Sequence, residues 1–444
     1  MTVFPVHATS SQGRTPSKIS NSGNSERLVD LEIETKLSTL GQTIQDEESF
    51  FVADLGQVIR QHSRWERNLP GVYPFYAVKC NRDPTLLRLL AKLGTGFDCA
   101  SPEEIRSVIS LGVEPSRIIF ANPCKTVSAL VFACEAGVTR TTFDNMDELE
   151  KIQKYLPKAE LLLRIFANDS DALIPLGDKF GASSESSLPL LQRAKALGLN
   201  VSGVSFHVGT GAFNPDAYVG AIRHAKVVFE QGERVGYRMK VLDIGGGFQD
   251  SNFEKITFSL RRALMDFLPG TCVIAEPGRY YTRSAYTLAC KIISRRVQLS
   301  GQVASTQPDM LYQNDGVYGN FMNVLIENEK LHPALVLGRR GAIRHQGKYR
   351  YSIWGPTCDS VDCVAREVTM DSEVLIGDWL KYKNMGAYTS ATATQFNGFL
   401  NQNEVIYINS ELDEIDTKLA VNTCSNHVHS SMAYEMPAAE SYPV

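Results

Sequence analysis

The sequence predicts an α/β chain in which a (β/α)8 barrel is joined to a C-terminal antiparallel β domain. Three observations predict it. Eight short apolar runs between residues 72 and 278 alternate with helical segments, the pattern of a parallel sheet with helical crossovers. Those runs are apolar almost continuously, as strands covered on both faces are, and eight of them suffice to close a barrel. After Arg279 the chain turns β-branched, aromatic and alternating, as antiparallel strands with one wet face do. An open doubly wound sheet is the competing arrangement for the first part.

Taken in order, residues 1–27 are polar and rich in Ser, Gly and Asn, which predicts a disordered tail. Residues 28–55 are expected to join the β domain, ending in the strand FFVADLG. The barrel is expected over 56–282. Its strands are PFYAVK (74–79), TGFDCAS (95–101), RIIFANP (117–123), RTTFD (140–144), ELLLRI (160–165), GVSFHVG (203–209), KVLDIGG (240–246) and CVIAEPG (272–278). The helices between them carry start signals: Pro84 opens one, and Ser101-Pro102 followed by two acids opens the next. The β domain is expected over 283–412, with GRRGAIRHQGK (338–348) as a solvated hairpin tip, and 413–444 as a flexible tail.

The chain has 444 residues, enough for two or three domains with ample core. A net charge of −4 offers no electrostatic footprint for nucleic acid. No apolar run is long enough for a membrane helix, and the N-terminal residues lack the apolar core expected of a signal peptide. Nine cysteines without CxxC pairs argue against a disulfide framework or a zinc site and fit a reduced, cytoplasmic compartment. Two His and a Cys near the C-terminus read as a solvated tail, so no metal is expected.

In barrels the chemistry sits at the C-terminal strand ends. There the sequence places Lys79, Asp98, Asn122, Asp144, Arg164, His207, Gly245, Gly246, Gly247, Glu276 and Arg279. Each alone has an ordinary structural explanation: a satisfied histidine, a salt-bridged arginine, a glycine turn. Together they describe one ligand. Three glycines before a helix can cradle a phosphate with backbone N–H groups, and Arg279 adds a fork for it. Glu276 would need a cationic partner such as a protonated pyridine nitrogen, and His207 offers a flat ring for stacking. Lys79, its amine activated by desolvation, can form a Schiff base with an aldehyde. A lysine, a phosphate cradle and a carboxylate for a ring nitrogen specify pyridoxal 5'-phosphate.

The stretches PFYAVKCN, FDCAS, IIFANPCK, KFGA, GVSFHVGTGAFNP, LDIGGGF, IAEPGRYY, NDGVYGNF, WGPTCDSVD and NMGAYT resemble the eukaryotic ornithine decarboxylase family, of the alanine-racemase-like fold, from about residue 30 to 412. The resemblance implies decarboxylation of a basic L-amino acid, with L-ornithine giving putrescine for polyamine biosynthesis. It implies that Lys79 holds the cofactor, His207 stacks on its ring, Glu276 pairs with its nitrogen, and Thr210, Gly245 to Gly247, Arg279 and Tyr388 bind its phosphate. Asp98, Glu104, Arg164 and Lys179 would frame the site. Cys358 would return a proton to the decarboxylated carbon, and Asp359 would bind the substrate's distal amine. In the family these two come from the other subunit of a homodimer, with Gly386 at the interface and Phe396 walling the pocket.

The chain departs from the family around the distal end of the substrate. Ile326, Glu327 and Asn328 stand where an aromatic, Asp and His are usual; Ser360 replaces Gly, and Ala212-Phe213 follow HVGTG. Glu327 is expected to keep the amine-binding charge one methylene deeper, a change worth roughly 1–3 kcal/mol in discrimination. Two alternatives therefore stand beside ornithine: a paralogue acting on lysine or on an alkaloid-pathway amine, and a catalytically inactive regulatory homologue. A racemase would need a second base on the opposite face, and Cys358 beside an amine-binding acid fits decarboxylation better.

Overall fold

The computed structural model describes residues 22–39, 48–211, 214–265, 267, 269–298, 307–336 and 345–411. The chain begins with α1 (Ser22–Thr39), β1 (Phe50–Asp54) and α2 (Leu55–Asn68). The repeating unit then runs β2 (Val72–Ala77), α3 (Pro84–Lys92), β3 (Gly96–Cys99), α4 (Pro102–Ile109), β4 (Ile118–Phe120), α5 (Val127–Glu135), β5 (Arg140–Phe143), α6 (Met146–Tyr155), β6 (Glu160–Arg164), α7 (Ser184–Ala196), β7 (Asn200–Ser205), α8 (Pro215–Val235), β8 (Val241–Asp243), α9 (Phe253–Met265) and β9 (Cys272–Ala275).

Strands β2 to β9 pair in parallel and close into a barrel, with β9 returning to β2. All eight expected strands are present. Phe75, Ile119, Leu162, Val241 and Ile274 form a buried cluster of their own. They come from β2, β4, β6, β8 and β9, so they meet through the lumen and plug it. The helix starts follow the cap chemistry. Asp83 accepts from the amides of Thr85 and Leu86 at the start of α3. Ser101 Oγ accepts from Glu104 N while Glu104 Oε2 accepts from Ala100 N, a reciprocal box that begins α4.

The second domain is an eight-stranded sheet built from β1, β10 (Tyr286–Arg296), β11 (Asp309–Gln313), β12 (Ala334–Val336), β13 (Gln346–Trp354), β14 (Cys363–Ser372), β15 (Trp379–Tyr382) and β16 (Glu404–Ile408). It is mostly antiparallel, but β1 pairs with β16, and β11 with β13, in parallel. Alternation fixes which face a side chain takes and not the direction of its neighbour, so these two pairings were not readable. The β-like stretch expected after Arg279 does not begin as a strand: Arg279–Thr282 is a helical turn, and the first strand starts at Tyr286.

The N-terminal expectation is corrected in part. Residues 22–27 lie in α1, not in a tail. Val29 and Ile33, one turn apart, bury with Phe50, Val52, Trp379 and Ile408, and Lys381 and Lys383 pair with Asp30 and Glu26. Its polar first turn hid the helix in the sequence. Residues 1–21, 338–344 of the expected hairpin tip, and 413–444 lie outside the described residues, as do Ala212 and Phe213.

Candidate active site

Lys79 does not lie on a strand. β2 stops at Ala77, and Val78–Cys80 form a 3-10 turn that lifts the lysine over the barrel mouth. The β domain fastens this turn: Tyr388 N–H donates to Cys80 O at 3.0 Å, and Asn81 Nδ2 donates to Gly386 O at 3.0 Å. Tyr388 sits at φ +54°, a backbone region that non-glycine residues seldom occupy. Gly386 is buried, and a Cβ there would strike Thr282 O at 1.8 Å, so only glycine lets the β domain approach this turn.

Lys79 Nζ pairs with Asp98 Oδ2 at 2.5 Å, and 41% of the lysine side chain stays open to solvent. Desolvation pulls the amine's pKa down, but the charges of Asp98 and Glu276 outweigh it and the net shift is upward. This corrects the expectation that desolvation activates the amine. In the cofactor-free chain Lys79 is an ammonium with a resident counter-ion.

His207 follows β7, and its Nδ1 accepts from Gly209 N–H at 3.1 Å, which leaves the ring proton on Nε2. Burial, then the charges of Arg164 and Lys79, hold it well below its usual pKa. It is a flat, neutral ring. Gly245, Gly246 and Gly247 pass under it. A Cβ on Gly245 would meet Phe206 O at 2.2 Å, and one on Gly246 would meet His207 Nε2 at 2.8 Å; Gly245 and Gly247 also have φ of +64° and +99°. Only glycine fits here, and the backbone is left bare toward the cavity. That cavity is lined by Lys79, His207, Thr210, Gly246, Gly247, Glu276, Arg279 and Tyr388 together.

Sequence reasoning missed Asp243. It ends β8 fully buried; its Oδ1 accepts from Gly245 N–H at 2.9 Å, and its Oδ2 has no partner. A carboxylate inside the apolar run KVLDIGG was the available signal. Burial, then repulsion from Asp243 and Asp98, pushes the pKa of Glu276 well up; burial likewise raises that of Asp243. Asp98 and Glu276 thus act on one amine, and Asp243 crowds a further carboxyl against Glu276. A group that brings a cation to this acidic cluster and a phosphate to the glycine–Arg279 cradle fits the residues present, and pyridoxal 5'-phosphate has both.

The raised pair has a consequence for stability. A carboxyl whose folded pKa exceeds its unfolded value near 4 contributes most below that value and loses its contribution as pH rises through the folded pKa. Asp243→Asn is therefore expected to raise the melting temperature of the cofactor-free protein at pH 8 and to match wild type at pH 4. A melting curve at the two pH values checks this.

Other expected residues divide into two groups. Asn122 and Asp144 tie loops: Asn122 Oδ1 accepts from Cys124 N at 3.1 Å, and Asp144 Oδ2 from Gly181 N at 2.9 Å. Arg164 lies over the Phe180 ring at 5.1 Å, as does the exposed Lys179. Cys358, Asp359 and Phe396 do not line the Lys79 cavity of their own chain. Cys358 is exposed and its N–H donates to Asn397 Oδ1 at 3.1 Å. Asp359 accepts from the Tyr318 hydroxyl, which holds its carboxyl below the usual range. Phe396 stacks on Tyr318 at 4.3 Å, and both line a separate cavity of about 520 Å³. Ile326 and Ser360 are exposed. Glu327, expected on the substrate amine, is buried and ion-paired with Arg279 instead.

Residues 55–283 match the family model described as pyridoxal-dependent decarboxylase, pyridoxal binding domain. The chain is 49% identical over 397 residues to an ornithine decarboxylase of Neurospora crassa, covering 82% of each. It is 46% identical to decarboxylase flvG of Aspergillus flavus, covering 82% of this chain and 87% of that one. Its structure superposes on the Paramecium bursaria Chlorella virus arginine decarboxylase bound to agmatine with TM-score 0.79 at 37% identity, over 85% of this chain and all of that one. With the barrel-mouth lysine, the glycine cradle and these likenesses in hand, the chain belongs to the pyridoxal-dependent decarboxylases.

Proposed function

We propose that this chain decarboxylates L-ornithine to putrescine and CO2 in polyamine biosynthesis, as a homodimer with shared sites. The observation that carries the reading is the convergence of Lys79, Glu276, His207, Gly246, Gly247 and Arg279 on one cavity. Pyridoxal 5'-phosphate, when bound, supplies an aldehyde for the lysine and a protonated ring that takes up the electron pair left by CO2. Glu276 holds the proton on the ring nitrogen by presenting a carboxylate oxygen to it. Neutral His207, on the cavity wall, would cover one face of the ring and exclude water there. Arg279, the glycine backbone, Thr210 and Tyr388 orient the phosphate end. Asp98 keeps a negative charge beside the lysine nitrogen.

Cys358 donates the proton that replaces CO2, and Asp359 holds the distal amine. Both lie outside the Lys79 cavity, and Phe396 beside them is 41% exposed, which supports their entering the site of a second copy. All described cysteines are free, in keeping with a cytoplasmic enzyme. The intact cofactor set weighs against an inactive regulatory homologue.

A second reading, action on lysine or another longer amine, is favoured by one observation: Glu327 faces Arg279, which leaves Asp359 as the acid for the distal amine and relaxes the constraint on chain length. Turnover of ornithine, lysine and arginine separates the two. Ornithine is expected to have the highest kcat/KM, and absence of ornithine turnover contradicts the first reading. Glu327→Asp is expected to leave the ranking unchanged, the reverse of what its sequence position suggested.

A further inference from the structure

Arg279, the fork expected on the cofactor phosphate, already has an anion. Glu327 follows the short helix Met322–Ile326 and pairs with Arg279 Nη2 in a contact where both residues are buried, at 4% and 8% exposure. The pair is incomplete, since Glu327 Oε2 and Arg279 Nε are each buried without a hydrogen-bond partner. The guanidinium also lies 5.0 Å from the centre of the Tyr388 ring, which holds it in place. The positive charge of Arg279 is therefore neutralised before any phosphate arrives. A phosphate would bring a second anion to the same fork, and at contact range in a poorly solvated site like charges repel strongly.

We propose that Glu327 is the resident counter-ion of Arg279 and sets the affinity of the site for a phosphate-bearing cofactor by competing for that guanidinium. The proposal rests on Arg279 being a phosphate ligand, as in the reading above, and makes Glu327 a positioning residue and not a ligand of the substrate. Without its charge, Arg279 in the empty site is a buried cation lacking compensation, a costly state that phosphate binding relieves. Glu327→Gln should therefore destabilise the empty protein and tighten its hold on phosphate.

The test compares cofactor-free wild type and Glu327→Gln in titrations with pyridoxal 5'-phosphate and with pyridoxal, which lacks the phosphate. Absorbance of the protein-bound aldehyde gives each affinity. The variant is expected to bind pyridoxal 5'-phosphate about tenfold tighter than wild type and pyridoxal with unchanged affinity. Equal or weaker binding of the phosphorylated form, or the same change for both aldehydes, overturns the proposal. Should the variant not survive without cofactor, it is prepared with it and diluted; slower release than wild type supports the proposal and equal or faster release overturns it. Inorganic phosphate provides an arm independent of the lysine. It is expected to raise the melting temperature of Glu327→Gln more than that of wild type, and an equal or smaller gain overturns the proposal. If wild type binds no aldehyde, the cofactor reading fails, and the inorganic-phosphate arm alone decides the role of Glu327.

Discussion

Lys79→Ala and Cys358→Ala are each expected to lose decarboxylase activity by at least about 10²-fold, while an equimolar mixture of the two, allowed to exchange subunits, regains about a quarter of wild-type activity. The expectation follows from where the residues lie. Lys79 stands in the barrel mouth, whereas Cys358 is exposed on the β domain and does not line that cavity. If each site takes its lysine from one chain and its cysteine from the other, random re-pairing makes half of the dimers mixed. Every mixed dimer then holds one site with both substitutions and one with neither. Half of the dimers with half of their sites working gives a quarter. Co-purification of differently tagged subunits establishes that exchange has occurred. A mixture that exchanges but stays as inactive as its components shows that the two residues do not work in trans.

Glu276→Gln is expected to lower kcat by about 10² to 10³-fold with a much smaller change in KM. The carboxylate acts on charge that develops during the reaction, so its loss is felt in the transition state more than in substrate binding. Glutamine preserves the shape of the side chain and cannot hold the ring-nitrogen proton by charge. Its burial beside Asp243 and Asp98 gives the site an acidic excess that one neutral replacement reduces without emptying the space. Steady-state kinetics on the fully loaded variant make the measurement. A change of less than about tenfold in kcat contradicts an electrostatic role of that size.

Much of this was legible in the sequence because barrel chemistry is local. An apolar run ending in a polar residue places that residue at the mouth, so Lys79, Asp98, His207 and Glu276 could be located from strand ends alone. What stayed hidden depends on contacts across long separations. Glu327 sits 48 residues from Arg279, and nothing in its neighbourhood announced an ion pair. Whether Lys79 is an amine or an ammonium depends on Asp98 from the next strand, and that balance of burial against charge has no signature in spacing. Asp243 was passed over because its strand otherwise reads as pure core. The two parallel pairings of the β domain escaped for a different reason: direction is set by the path of the connections, which alternation does not encode.

The chemistry proposed here requires a covalent link between Lys79 and pyridoxal 5'-phosphate. Borohydride reduction of the loaded protein, followed by peptide mapping, locates it. The cofactor is expected on the peptide containing PFYAVKCN, at Lys79. Label on Lys125, on any other lysine, or on none contradicts the site described above.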